Sequence, residues 1–274
     1  MNYMDKLQAA VNHIMDGEDI KALPLLQQIT NLYESDDAYK EKDGKKNVSF
    51  DEDFEYLLYG LQGDAENVNW IHEPISLVYL FEATAHMDLG EFAAAVPCLD
   101  HALEWNPCSA KARLAKADSL LEQGDLEGYY NVTMEAFPYI FHSEEMGQAY
   151  RNLGYYYGEK ESYDAAVSCY GLSMIYEQSQ EGVDGMAALQ KKHPDKMHMP
   201  NDDELAEISE RYGFPITPNA SVLTLVTMQI QGARAHGDKA TEKKYLNIIY
   251  DLKQGEAFKQ YTDSLDAQKE DSEE

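Results

Sequence analysis

Three windows of this 274-residue chain, Ser76–Pro107, Ala110–Phe141 and Gly147–Gln178, repeat one arrangement of small and large residues. With each window numbered from its first residue, position 8 holds Ala83, Ala117 and Gly154, and position 27 holds Ala102, Ala136 and Ser173. Position 20 holds Ala95, Tyr129 and Ala166, so the middle window departs there. A small side chain is required where two helices of a pair cross closely, because a large one holds the axes apart. Tyr157 and Tyr170 are the large residues at positions 11 and 24 of the third window. Gly90 and Gly124 stand near position 15, where the chain reverses and a positive φ carries no steric cost for glycine. The third window has Glu161 there, and Phe92, Leu126 and Tyr163 follow two places later. Pro107 stops the helix of the first window. The expected fold class is all-α, built of stacked antiparallel helix pairs.

This pattern resembles the tetratricopeptide repeat, whose period is about 34 residues. The first two windows start at Ser76 and Ala110, and the third starts late, at Gly147, which implies an insertion around Pro138–Met146. The fullest match lies in AYRNLGYYYGEKESYDAAVSCYGLS, through Tyr150, Leu153, Gly154, Tyr157, Tyr163, Ala166 and Tyr170. The resemblance covers Ser76–Tyr176. It implies a right-handed superhelix of helix pairs, a TPR-like α-solenoid, whose first helices line a concave surface that binds protein or peptide.

Outside the windows the signals are weaker. Gly17-Glu18, Ala22, Pro24 and Leu26 repeat the offsets of Gly90-Glu91, Ala95, Pro97 and Leu99, so residues 1–33 read as another helix pair. Pro24 and Pro97 each fall near the start of a second helix, where few amide donors are engaged. Residues 34–69 read as a polar excursion with one short apolar helix at Phe54–Leu61, residues 70–178 as three repeats, and 179–218 as a helix-and-loop insertion punctuated by Gly182, Gly185, Pro194 and Pro200. Within that insertion Asn201 or Asp202 caps a helix running to about Tyr212. Residues 219–260 read as a degenerate pair, with Asn219 capping Ala220–Ala235, a turn at Gly237-Asp238 and a helix over Lys239–Lys253. Residues 261–274 read as a disordered acidic tail.

Composition narrows the partners. Fifty acidic against 22 basic residues give a net charge of −28, which repels nucleic acid and anionic lipid. No apolar run approaches the roughly 20 residues that cross a bilayer, and Met1–Gly17 lacks a signal-peptide core. A cytoplasmic protein with reduced thiols at Cys98, Cys108 and Cys169 is the expectation. The three cysteines follow no metal spacing.

Motifs of catalysis are missing: the sequence has no phosphate-binding glycine loop, no HExxH and no nucleophile elbow. Cys98 and Cys169 read as small core fillers, His86 as a packed histidine, and His193 and His198 as residues of a polar loop. No cofactor, metal or catalytic residue is expected, and the chain is expected not to be an enzyme. The concave face is the better place for function. Its exposed positions in the first window are Leu77, Leu80, Thr84 and Met87, with Phe81 beside them; in the second, Lys111, Leu114, Asp118 and Leu121; in the third, Gln148, Arg151, Tyr155 and Gly158, with Asn152 at the edge. Apolar and aromatic residues flanked by Lys111 and Arg151 suit a peptide with an apolar anchor and an acidic group. The lysine–asparagine clamp by which some family members hold a C-terminal carboxylate is not carried over, because its positions here are Leu80, Thr84 and Ala115. A non-catalytic adaptor is therefore the first reading. Self-association with a groove filled by the chain itself is the second, and an enzyme with a site in 180–218 is the third.

Overall fold

The structure, a computed structural model, describes residues 3–41, 44–61 and 67–252. The expected acidic tail, and the end of the last helix beyond Leu252, lie outside them. The chain divides into two compact units, Met1–Tyr139 and Ile140–Glu274, with the boundary inside the insertion read from the late third window.

Among the described residues the first unit contains three helix pairs: α1 (Tyr3–Met15) with α2 (Asp19–Ser35), α4 (Ile75–Asp88) with α5 (Phe92–Trp105), and α6 (Ala110–Glu122) with α7 (Leu126–Ala136). They stack in chain order, α2 on α4 and α5 on α6. Ala83, Ala95, Ala102, Ala117 and Ala136 are all fully buried at the crossings. Tyr129, the departure at position 20, is buried as well. The reversals at Gly17, Gly90 and Gly124 have φ of 69°, 75° and 82°, a left-handed geometry that side chains with a Cβ resist. Pro24 and Pro97 correct the expectation of an early proline, since each is the sixth residue of its helix. Each deprives a carbonyl one turn back, at Ile20 and Ala93, of its usual amide, and both of those residues are exposed to water.

The described residues of the segment read as a polar excursion hold more regular structure than their composition implies. Between the first and second pairs, β1 (Lys46–Val48) pairs in parallel with β2 (Val68–Trp70), and α3 (Asp53–Gly60) lies between them in the chain. Val48, Phe50, Phe54 and Leu58 are buried. Ser49 ties this element to the neighbouring helices: its amide donates to the Trp105 carbonyl at 2.8 Å and its hydroxyl to the Glu73 carbonyl at 2.6 Å. Strands of three residues leave no readable alternation in a sequence.

The second unit holds α8 (Ser143–Glu159), α9 (Tyr163–Tyr176), α10 (Gln180–Lys192), α11 (Asp202–Tyr212), α12 (Ala220–His236) and α13 (Lys239–Leu252). Helices α8 and α9 pair, α10 packs on both, α11 packs on α9, and α12 pairs with α13. Glu161 turns α8 into α9 at φ 58°, so the reversal keeps its left-handed geometry without glycine. Asn201 forms a capping box with Glu204 at the start of α11, and Asn219 caps α12, both as the sequence indicates. Tyrosines of α8 hold the α11 segment: the Tyr150 hydroxyl donates to the Pro215 carbonyl at 3.0 Å and that of Tyr157 to the Tyr212 carbonyl at 3.1 Å.

Candidate functional site

The concave-face residues separate once their side chains are placed. In the first unit Leu80 and Leu114 are buried in the stack, at 3% and 0% exposure, and serve packing rather than an open surface. Phe81, Thr84 and Met87 are half-buried, and Phe81 and Met87 pack against the same core. The Thr84 hydroxyl donates to the Leu80 carbonyl one turn back, at 2.9 Å. Asp118 is half-buried and Lys111 is exposed. In the second unit Gln148 is half-buried, and Asn152 is buried at 5% exposure. Arg151, read as a cation for an acidic ligand, is already engaged. Its guanidinium pairs with Glu177 at the end of α9, and a Cβ on Gly147 would collide with that glutamate at 2.6 Å. The helix therefore has glycine where the ion pair needs room.

Tyr155 is the exposed member in the second unit, and it opens onto a cleft whose far wall comes from α10. The cleft has a volume of about 470 Å³. Helix α8 contributes Tyr155, Gly158 and Glu159, and the turn adds Glu161. Helix α9 contributes Tyr163 and Tyr170. The opposite wall is α10, through Asp184, Gly185, Ala188 and Lys192, ending at His193. That wall exists because α10 approaches α9 closely. A Cβ on Gly185 would meet the Tyr170 ring at 2.4 Å, and one on Gly182 would meet the Ser173 hydroxyl at 3.2 Å. The two glycines read as loop punctuation are contact residues inside a helix. Their spacing of three, which puts both on one helical face, was the available signal.

The cleft is lined by tyrosines and exposed carboxylates. Burial and the neighbouring Tyr155 push the Tyr170 hydroxyl up to about 12, so it stays a neutral donor near pH 7. Tyr163 lies against the His193 ring, with centroids 4.3 Å apart and its hydroxyl 3.3 Å from Nε2. Three carboxylates, Glu159, Glu161 and Asp184, stand around the opening against one lysine, Lys192.

Helix pairs that nest through small residues, in chain order within a unit, define a helical-repeat protein. A sequence profile of the tetratricopeptide repeat matches residues 77–107, the α4–α5 pair. A TPR repeat-containing protein of Methanocaldococcus jannaschii is 33% identical over 104 residues, which cover 38% of this chain and 31% of that protein. The chain thus spans about a third of that relative's length. Residues 77–107 thus carry a tetratricopeptide repeat, and in the second unit α10 packs on the α8–α9 pair. Such repeats generally act as non-catalytic scaffolds for protein–protein interaction. Among the described residues no helix is long and apolar enough to cross a membrane.

Proposed function

We propose that this chain is a non-catalytic scaffold that takes a partner segment bearing a lysine or arginine into the cleft between α8, α9 and α10. The observation that carries the reading is the pairing of a tyrosine-lined floor, Tyr155, Tyr163 and Tyr170, with a rim richer in carboxylates than in cations. Aromatic faces attract a cation by about 0.5–2 kcal/mol, more as water is excluded. The acidic rim and the net charge of −28 steer a basic segment toward the opening. The cleft volume falls within the range of about 300–1,000 Å³ typical of binding pockets. This reading reverses the acidic ligand inferred from Arg151, because Glu177 occupies that guanidinium.

Panning a random peptide display library on the full chain tests it. Enriched peptides are expected to carry Lys or Arg beside an apolar residue. By fluorescence anisotropy their affinity should fall about tenfold in Tyr155→Ala, the loss of one cation–π contact. It should fall further in Ala188→Trp, where an exposed residue of the cleft wall gains a ring that plugs the opening. Peptides that bind both folded variants as they bind the wild type would exclude the cleft.

A further inference from the structure

We propose that Glu82, His86 and Cys98 form a binding site for one zinc ion in the first unit, joining the two helices of the α4–α5 pair. One oxygen, one ring nitrogen and the sulfur of these residues all lie within 4.8 Å of one another. Tetrahedral zinc, with bonds of about 2.0–2.3 Å, needs its ligand atoms about 3.3–3.6 Å apart. The contraction is about 1 Å at the side-chain tips, within reach of small torsional changes. Glu82 and His86 are four apart on α4 and share a face. Cys98 comes from the facing helix, so no spacing within one segment announces the set.

Three observations favour an ion here over a chance cluster. Glu82 is a buried carboxyl, at 7% exposure, and the charges acting on it are His86 and Glu34. A buried carboxylate without a strong cationic partner is costly, and a divalent cation supplies one. The side chains of Thr30 and Gln27 on α2 also reach this carboxyl, which orients it. His86 is oriented too. Its Nδ1 lies 2.7 Å from the Glu91 carboxylate, which holds the ring in place. A carboxylate behind a histidine is the recurrent support of a zinc ligand. Finally, Cys98 is a free, half-buried thiol presented from the facing helix. Zinc binding replaces that S–H bond with a Zn–S bond and releases the proton to solvent, so affinity rises with pH. Three protein ligands leave the fourth position to water.

Cobalt(II) titration of the chelator-stripped full chain tests the site, because a thiolate ligand gives a sulfur-to-cobalt charge-transfer band and tetrahedral geometry gives intense visible bands. One equivalent of Co²⁺ should produce both, and Zn²⁺ should abolish both. Cys98→Ser should remove the charge-transfer band while its circular dichroism stays that of the wild type. Glu91→Gln, which touches only Nδ1, should weaken Zn²⁺ binding about 10–100-fold. Zn²⁺ should raise the melting temperature of the wild type and leave that of Cys98→Ser unchanged. Bands that persist in Cys98→Ser would overturn the proposal. Weak, multiple binding that Mg²⁺ competes away, the mark of surface carboxylates, would overturn it as well. The site lies in a different unit from the α8–α10 cleft, so either reading can fail without the other.

Discussion

Replacing Gly154 by alanine tests the packing rule at its tightest point. A Cβ there would lie 2.9 Å from three atoms of the Tyr170 ring, Cγ, Cδ1 and Cδ2. These are the near atoms of a ring whose far edge is pinned, since Cε1 already lies 2.4 Å from where a Cβ on Gly185 would be. Tyr170 is thus held between glycines of α8 and α10 and cannot swing away. Overpacking of this kind costs about 1–3 kcal/mol. Against it stands the gain of about 1 kcal/mol from alanine over glycine in a helix interior. The expected net loss is about 0–2 kcal/mol, the difference of those two effects. Gly232→Ala on α12 is the control, because its Cβ would meet nothing within 4 Å. The same chemical change there should stabilise by up to about 1 kcal/mol. Urea unfolding of the full chain, followed by circular dichroism, compares the two. Tyr170→Leu combined with Gly154→Ala should recover part of the loss, giving a coupling energy of about 0.5–3 kcal/mol between contacting sites. Equal stabilisation by both alanines would refute the close crossing of α8 and α9.

Three further outcomes follow from single residues. Glu161→Gly relieves a left-handed backbone at φ 58° and should stabilise by up to about 1 kcal/mol, whereas Gly90→Ala imposes the same strain at φ 75° and should cost about as much; thermal melts compare them. Glu55 is 5% exposed, and burial, aided by Asp51, raises its carboxyl from 4.5 to about 7. Because the folded pKa is the higher one, its neutral form is favoured by folding, and stability is lost as pH rises from 4.5 through 7. Glu55→Gln keeps an oxygen acceptor for the Asp51 and Glu52 amides, at 2.8 and 2.9 Å. It should therefore change little at pH 4 and stabilise by up to about 3 kcal/mol at pH 8, measured by urea unfolding at the two pH values. Asn201→Ala removes the oxygen that accepts the Glu204 amide at 3.0 Å and should cost about 1 kcal/mol, seen as faster hydrogen exchange in the first turn of α11.

The parts of the fold written in the sequence are those with a local physical cause. Small residues at crossings, glycine at reversals and asparagine at helix starts each act within a few positions, and Ala83, Gly90, Asn201 and Asn219 stand where that chemistry placed them. What escaped is what depends on distant partners. The parallel pairing of Lys46–Val48 with Val68–Trp70 joins strands too short to show a period. Gly182 and Gly185 look like loop residues until α9 supplies Tyr170 and Ser173 against them. Arg151 looks like a ligand-binding cation until Glu177, 26 residues on, arrives beside it. Tyr155 was legible as an exposed side chain, but the cleft it opens onto needed the wall of α10. Cys98 reads as a core filler until the opposite helix of its pair brings Glu82 and His86 within 4.8 Å of it.

Hydrogen exchange by mass spectrometry on the full chain, with and without a library-selected basic peptide, addresses the central claim that partners dock between α8, α9 and α10. The peptide should slow exchange in residues 155–163 and 184–193 and leave residues 3–41 unchanged. Slowing confined to the first unit, or no slowing under saturating peptide, would contradict it.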